Sequence, residues 1–158
     1  MSDPSVDRWR QTGRVFLWRD PDQTRNYPGW NCTADAEGCD SLSELLTLMA
    51  VAQWTATANI LLSTPTEAIA SLPGPYRGRR RLSPGRLRLV YRPGKVAENY
   101  WRWSDHAQTS TLAVGKSKLD DLRRAFGLVA AGQGDFCIHA DDLALHGLDL
   151  ERMAIWFW

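Results

Sequence analysis

The residues of this chain that could carry chemistry are few: three cysteines, three histidines and one glycine-lysine-serine run in 158 positions. Cys137 and His139 stand two apart, so on an extended strand both project to one side, as a thiol and its base must. That spacing makes them neighbours without aiming one at the other. The pattern predicts a half-buried Cys137 packed like a small apolar residue. Cys39 lies just ahead of a helix expected to start at Ser41, where the positive end of the helix dipole favours a thiolate. The carboxylate of Asp40 beside it works in the opposite direction. His139, Asp141, Asp142 and His146 form one cluster of possible ligands, but zinc sites use tighter pairs, such as two histidines four apart on a helix. No metal is expected.

Gly115-Lys116-Ser117 falls between an expected strand and an expected helix, as the end of a phosphate-binding loop does. That loop also needs a glycine five residues earlier, and the position is Ser110. The backbone cradle for a nucleotide is missing, although free N–H groups at a helix start attract a bare anion. Gly132-Gln133-Gly134 follows a helix instead of a strand, and Cys137 stands where a dinucleotide fingerprint has its third glycine. No Gly-x-Ser-x-Gly elbow occurs. These exclusions predict no catalytic residue, no cofactor and no enzymatic activity. An enzyme of unfamiliar type, with a pocket near Cys137 and His139, is the remaining catalytic alternative.

Charge is sorted along the chain. The nineteen basic and eighteen acidic residues leave a formal net charge of +1, which does not suggest a general polyanion binder. Yet residues 68–97 hold no acid and carry Arg77, Arg79, Arg80, Arg81, Arg86, Arg88, Arg92 and Lys95. The rest of the chain is left with a balance of −7, its acids concentrated at 20–44 and 135–151. Three readings of the basic stretch stand. It folds against the molecule's own acids, in ion pairs worth little at a surface. It steers in an acidic protein partner. Or it binds nucleic acid through the bidentate fork of arginine, although no recognition motif for RNA or DNA is present.

Eight tryptophans are the second unusual feature. Trp101, Trp103, Trp156 and Trp158 fit strand packing. Trp9, Trp18 and Trp30 flank or occupy a turn-rich stretch at 19–40. The plain reading is a cluster that pins a long loop. The functional one is a contact site with Tyr27 and Trp30 as anchors, since tryptophan and tyrosine are enriched at interface hot spots.

The elements that must position these residues follow from periodicity. Arg14–Trp18 reads as a strand. Ser41-Leu42-Ser43-Glu44 fits a capping box, and Leu42, Leu45, Leu46 and Met49 then form one helical stripe ending near Trp54. Residues 57–62 read as a strand and 63–85 as a long surface loop. Strands at 86–92, 99–104 and 109–114 suggest an antiparallel meander with one solvated side, Leu87, Leu89 and Tyr91 facing in and the arginines out. A second helix runs from about Ser117, its cap, to Ala131, with Gly132 placed to end it. Residues 135–139 read as a strand. Residues 153–158 read as another, with apolar side chains on both faces and therefore central or covered.

The expected class is α+β: one globular domain over residues 1–158, with a mostly antiparallel sheet of about six or seven strands and two helices packed on one face. No secretory signal is apparent, and the greasiest region, Leu42 to Leu62, whose longest unbroken apolar run is Leu48–Ala52, cannot span a bilayer. An odd cysteine count points to reduced thiols in a cytoplasmic protein. Sixteen arginines against three lysines hint at a GC-rich bacterial genome. The general look is similar to that of small bacterial immunity proteins, with charged loops, aromatic strands and no catalytic set, a likeness that transfers no residue roles. The expected function is a protein-binding module, of the immunity or adaptor type; the sorted charge, not the likeness, singles out Arg77, Arg79, Arg80, Arg81, Arg86, Arg88 and Arg92 to meet an acidic partner, and the aromatic residues Tyr27 and Trp30 form a second patch. A nucleic-acid binder using the same segment is the alternative.

Overall fold

The computed structural model describes residues 3–19, 29–72, 82–141 and 154–158. Along the chain run α1 (Pro4–Arg8), β1 (Val15–Trp18), β2 (Trp30–Ala34), α2 (Ala36–Ala50), β3 (Ala56–Leu61), α3 (Glu67–Ala70), β4 (Arg86–Tyr91), a 3-10 turn (Lys95–Ala97), β5 (Trp101–His106), β6 (Thr109–Val114), α4 (Lys116–Ala130), β7 (Phe136–Ile138) and β8 (Ile155–Phe157).

The α+β class holds, but the single sheet of six or seven strands does not. The strands form two four-stranded sheets, β1-β2-β8-β7 and β3-β4-β6-β5. Both are built alike, with a parallel pair at the centre, β2–β8 or β4–β6, and an antiparallel strand on either side. The expected meander is corrected accordingly. The chain skips a place after β4, so β5 takes the outer position and β6 returns beside β4. A two-residue turn joins β5 to β6, with Ala107 at φ 52, the left-handed backbone that tight hairpins require. β8 lies between β2 and β7, as its two apolar faces demand.

The helices also differ from the expected two, for four occur among the described residues, and they do not all lie on one face. α2 and α4 pack together against the inner face of the first sheet. The short α3 covers part of the opposite face, where Ala70 and Ile69 meet Phe16, Trp18 and Trp158. The stripe Leu42, Leu45, Leu46 and Met49 is fully buried, each side chain stabilising by about 2 kcal/mol on transfer from water. Leu119, Leu122, Ala125 and Phe126 do the same for α4, and Phe126 meets Phe157 edge-on at 5.3 Å. One apolar core takes in these helices and the inner faces of both sheets.

α2 begins at Ala36, well before the expected Ser41. Asp35 is the cap, its carboxylate accepting from the Gly38 N–H at 2.8 Å. Ser41 is instead buried within the helix. Its hydroxyl accepts from the Thr12 N–H and its carbonyl from Trp9 Nε1, both at 3.0 Å. At the outer edge of β3 the side-chain amide of Gln11 copies a strand: Nε2 donates to the Leu61 carbonyl at 3.0 Å, and Oε1 accepts from the Leu61 N–H at 2.8 Å.

Candidate functional site

The second sheet turns one face into the core and the other into solvent. On β4, Leu87, Leu89 and Tyr91 are buried, while Arg86 and Arg88 are exposed and Val90 is half-buried. The register extends this outer face across all four strands in three rows. The first row is Leu61, Arg86, Thr109, His106. The second is Asn59, Arg88, Thr111, Ser104. The third is Thr57, Val90, Ala113, Arg102. None of these twelve residues is acidic and none is Phe, Tyr or Trp.

Asp105, on the same edge strand, faces the other way. Its carboxylate accepts from Trp103 Nε1 at 2.9 Å and from the Ser110 hydroxyl at 2.6 Å. Ion pairs between described residues include Arg14–Asp35, Lys116–Asp120, Lys118–Asp141 and Arg123–Asp120. Arg86 and Arg88 join none of them. Arg92 is exposed, with its guanidinium over the Tyr100 ring at 4.9 Å. Arg77, Arg79, Arg80, Arg81 and Tyr27 lie outside the described residues.

Trp30 is not at the surface. It is 3% exposed, meets Trp103 at a tilt with ring centroids 5.1 Å apart and carries the Arg19 guanidinium over its ring at 5.2 Å. Neither Trp30 Nε1 nor Arg19 Nε has a hydrogen-bond partner among the described residues. The residues that sequence reasoning missed are Arg102, His106 and the hydroxyls of Ser104, Thr109 and Thr111. They fall outside the acid-free stretch and reach Arg86 and Arg88 only through the parallel β4–β6 pairing. The alternation of Trp101 and Trp103 with Arg102 and Ser104 is the one local signal for them.

The remaining chemical candidates that the structure describes are the cysteines, His139 and Asp141. All three cysteines are free. Burial raises the Cys32 thiol far above its ordinary range. It pushes Cys39 up to about 11, with Asp40 and Asp35 adding to the effect, and Cys137 up to about 11 as well. Thiols in that range stay protonated at neutral pH. β7 ends at Ile138, so Cys137 and His139 do not share a strand face, and His139 Nδ1 donates to the Ala140 carbonyl at 2.6 Å. Among the described residues no three His, Cys, Asp or Glu side chains gather to hold a metal; Asp142 and His146 of the expected cluster lie outside those residues.

At the start of α4 the Gly115 N–H is taken by the Tyr100 carbonyl at 2.8 Å and the Ser117 N–H by the Glu98 carbonyl at 3.0 Å. The anion site considered for that helix start has therefore lost these two donors. Gly115 itself is there for space, since a Cβ would stand 1.6 Å from the Ala97 carbonyl oxygen. No helix among the described residues is long and apolar enough to cross a membrane. Comparison with protein-family models, curated proteins and solved structures finds no match to this chain.

Proposed function

We propose that this chain is a non-enzymatic, cytoplasmic protein-binding module of the immunity or adaptor kind, which meets an acidic protein partner through its arginine-rich segment. The observation that carries the reading is the exposure of Arg86 and Arg88 on a carboxylate-free face, with no ion pair to any described residue. Guanidinium groups left without counter-charges steer an oppositely charged partner and set its encounter rate. The core cavity where the sheets meet the helices has a volume of about 20 Å³ and an apolar lining that includes Leu46, Leu89 and Phe126. Three free thiols accord with a reducing compartment.

Reversing Arg86 and Arg88 to Glu tests the proposal. With a partner captured from the native cell, association should slow by about tenfold at low salt while dissociation changes little. Unchanged association kinetics would count against the reading. A nucleic-acid binder is the second reading, favoured by the fit of arginine to phosphate. None of the twelve residues of the outer face is Phe, Tyr or Trp, and exposed His106 at one corner is a poor substitute for the row of large rings on which single strands stack. A salt titration with mixed oligonucleotides separates the two, because phosphate contacts make log affinity fall linearly with log salt.

A further inference from the structure

Resting on the protein-binding reading, we infer that the docking epitope is the outer face of β3-β4-β6-β5, centred on Arg88, and that it seats a carboxylate-rich segment of a partner protein. The epitope is discontinuous: β4 supplies the charge, and β6 and β5 supply the hydroxyls. Arg88 pairs across the sheet with Asn59 on one side and Thr111 on the other, and Ser104 completes that row. Neighbouring strands stand about 4.8 Å apart and alternate residues along a strand about 6.7 Å. A carboxylate received by the guanidinium fork of Arg88 thus lies within reach of the Thr111 hydroxyl, and one on Arg86 within reach of Thr109.

Leu61, 60% exposed, is the cross-strand partner of Arg86, and half-buried Val90 follows Arg88 on the same face. Apolar groups beside a charge exclude water and strengthen its pairing, the arrangement found around interface hot spots. The twelve residues cover only the centre of a usual interface of about 800 Å² per partner, leaving the rim to their surroundings. Charge complementarity selects the occupant: arginines and hydroxyl donors with no acid among them suit carboxylates, and the lack of any Phe, Tyr or Trp disfavours nucleobases.

The test uses the full chain with two probes of equal length, a deca-glutamate peptide and a ten-nucleotide thymidine strand, at low ionic strength. Amide shift changes on adding the peptide should centre on Arg88, Thr111, Ser104 and Thr109. Arg86→Glu with Arg88→Glu should weaken peptide binding at least about tenfold, whereas Arg79→Glu, Arg80→Glu and Arg81→Glu together should weaken it by less than about threefold. Arg88→Gln and Thr111→Val, milder changes, should each lower affinity if the double reversal does not fold. Loss of binding only in the 79–81 variant, with the sheet face silent, overturns the epitope and leaves the protein-binding reading standing. Binding of the thymidine strand but not the peptide overturns both. A dimer of this chain that the double reversal dissolves would make a second copy the occupant and overturn the partner assigned here.

Discussion

The indole of Trp30 lies 5.1 Å from that of Trp103, at a 32° tilt, and this contact joins the inner faces of the two sheets. The two rings differ in one respect. Trp103 Nε1 donates to Asp105 at 2.9 Å, whereas Trp30 Nε1 has no partner among the described residues. Trp103→Phe should therefore destabilise more than Trp30→Phe by about 1 kcal/mol, the net worth of a hydrogen bond. Trp103→Ala should cost about 3–5 kcal/mol. Urea denaturation of the three variants measures this, and equal losses for the two phenylalanine variants would refute the assignment.

Asp35 is a second point of leverage. Its carboxylate caps α2 and accepts from the Arg14 N–H at 2.9 Å, with Arg14 Nε at 3.2 Å. The Arg14 backbone N–H, aided by the Gly38 N–H and the Arg14 guanidinium, holds this carboxyl below its ordinary value. A lowered folded-state pKa adds stability above the unfolded pKa, near 4, and that stability is lost as pH falls through the folded value. Asp35→Ala should cost about 1 kcal/mol at neutral pH and flatten the acid limb of the stability curve below about pH 4. Denaturant midpoints between pH 2 and pH 7, a range of about five units around that limb, should show the wild type and variant converging at the acid end.

Two glycines should respond in opposite senses. At Gly115 a methyl group would meet the Ala97 carbonyl at 1.6 Å, so Gly115→Ala should cost about 3 kcal/mol or prevent folding. At Gly127, inside α4, a methyl group would find nothing within 4 Å. There alanine should stabilise by about 0.5–1 kcal/mol through lower chain entropy. Thermal melts of the pair decide it.

Thiol labelling should follow burial. Cys137 is half-buried and Cys32 and Cys39 are buried, so iodoacetamide at pH 7.5 should label Cys137 first and slowly. Its rate should rise as pH approaches about 11, the value to which burial pushes the thiol. Denaturation should bring all three to the reactivity of free cysteine, with a pKa of about 8.5. Mass spectrometry of timed samples would expose a fast-reacting native thiol, which would reopen the catalytic alternative.

Elements governed by local periodicity are legible in the sequence. Leu87, Leu89 and Tyr91 alternate with Arg86 and Arg88 and mark both faces of β4. Leu42, Leu45, Leu46 and Met49 mark the buried side of α2, and the two apolar faces of β8 mark it as central. Pairing between distant segments is not legible in the same way. β2 hides among turn residues and finds β8 at the far end of the chain; without that pairing the strands suggest one sheet. The start of α2 is disguised because Ser41 and Glu44 imitate a capping box, while the true cap, Asp35, bonded to the nearby Gly38 N–H, stands in a stretch that reads as turns. At the candidate site, Arg86 and Arg88 stand out in the sequence, but Arg102 and His106 do not, because only the place of β6 between β4 and β5 unites them.

The amide of Gln11 at the rim of β3 has a consequence for colloidal behaviour. An unpaired strand margin is a template on which other chains polymerise. Near Leu61 that margin is plugged by a side chain that satisfies both the donor and the acceptor. Growth of the sheet from molecule to molecule is blocked at that point, so this end of β3 is no seed for fibrils even though the outer face of the sheet stays open.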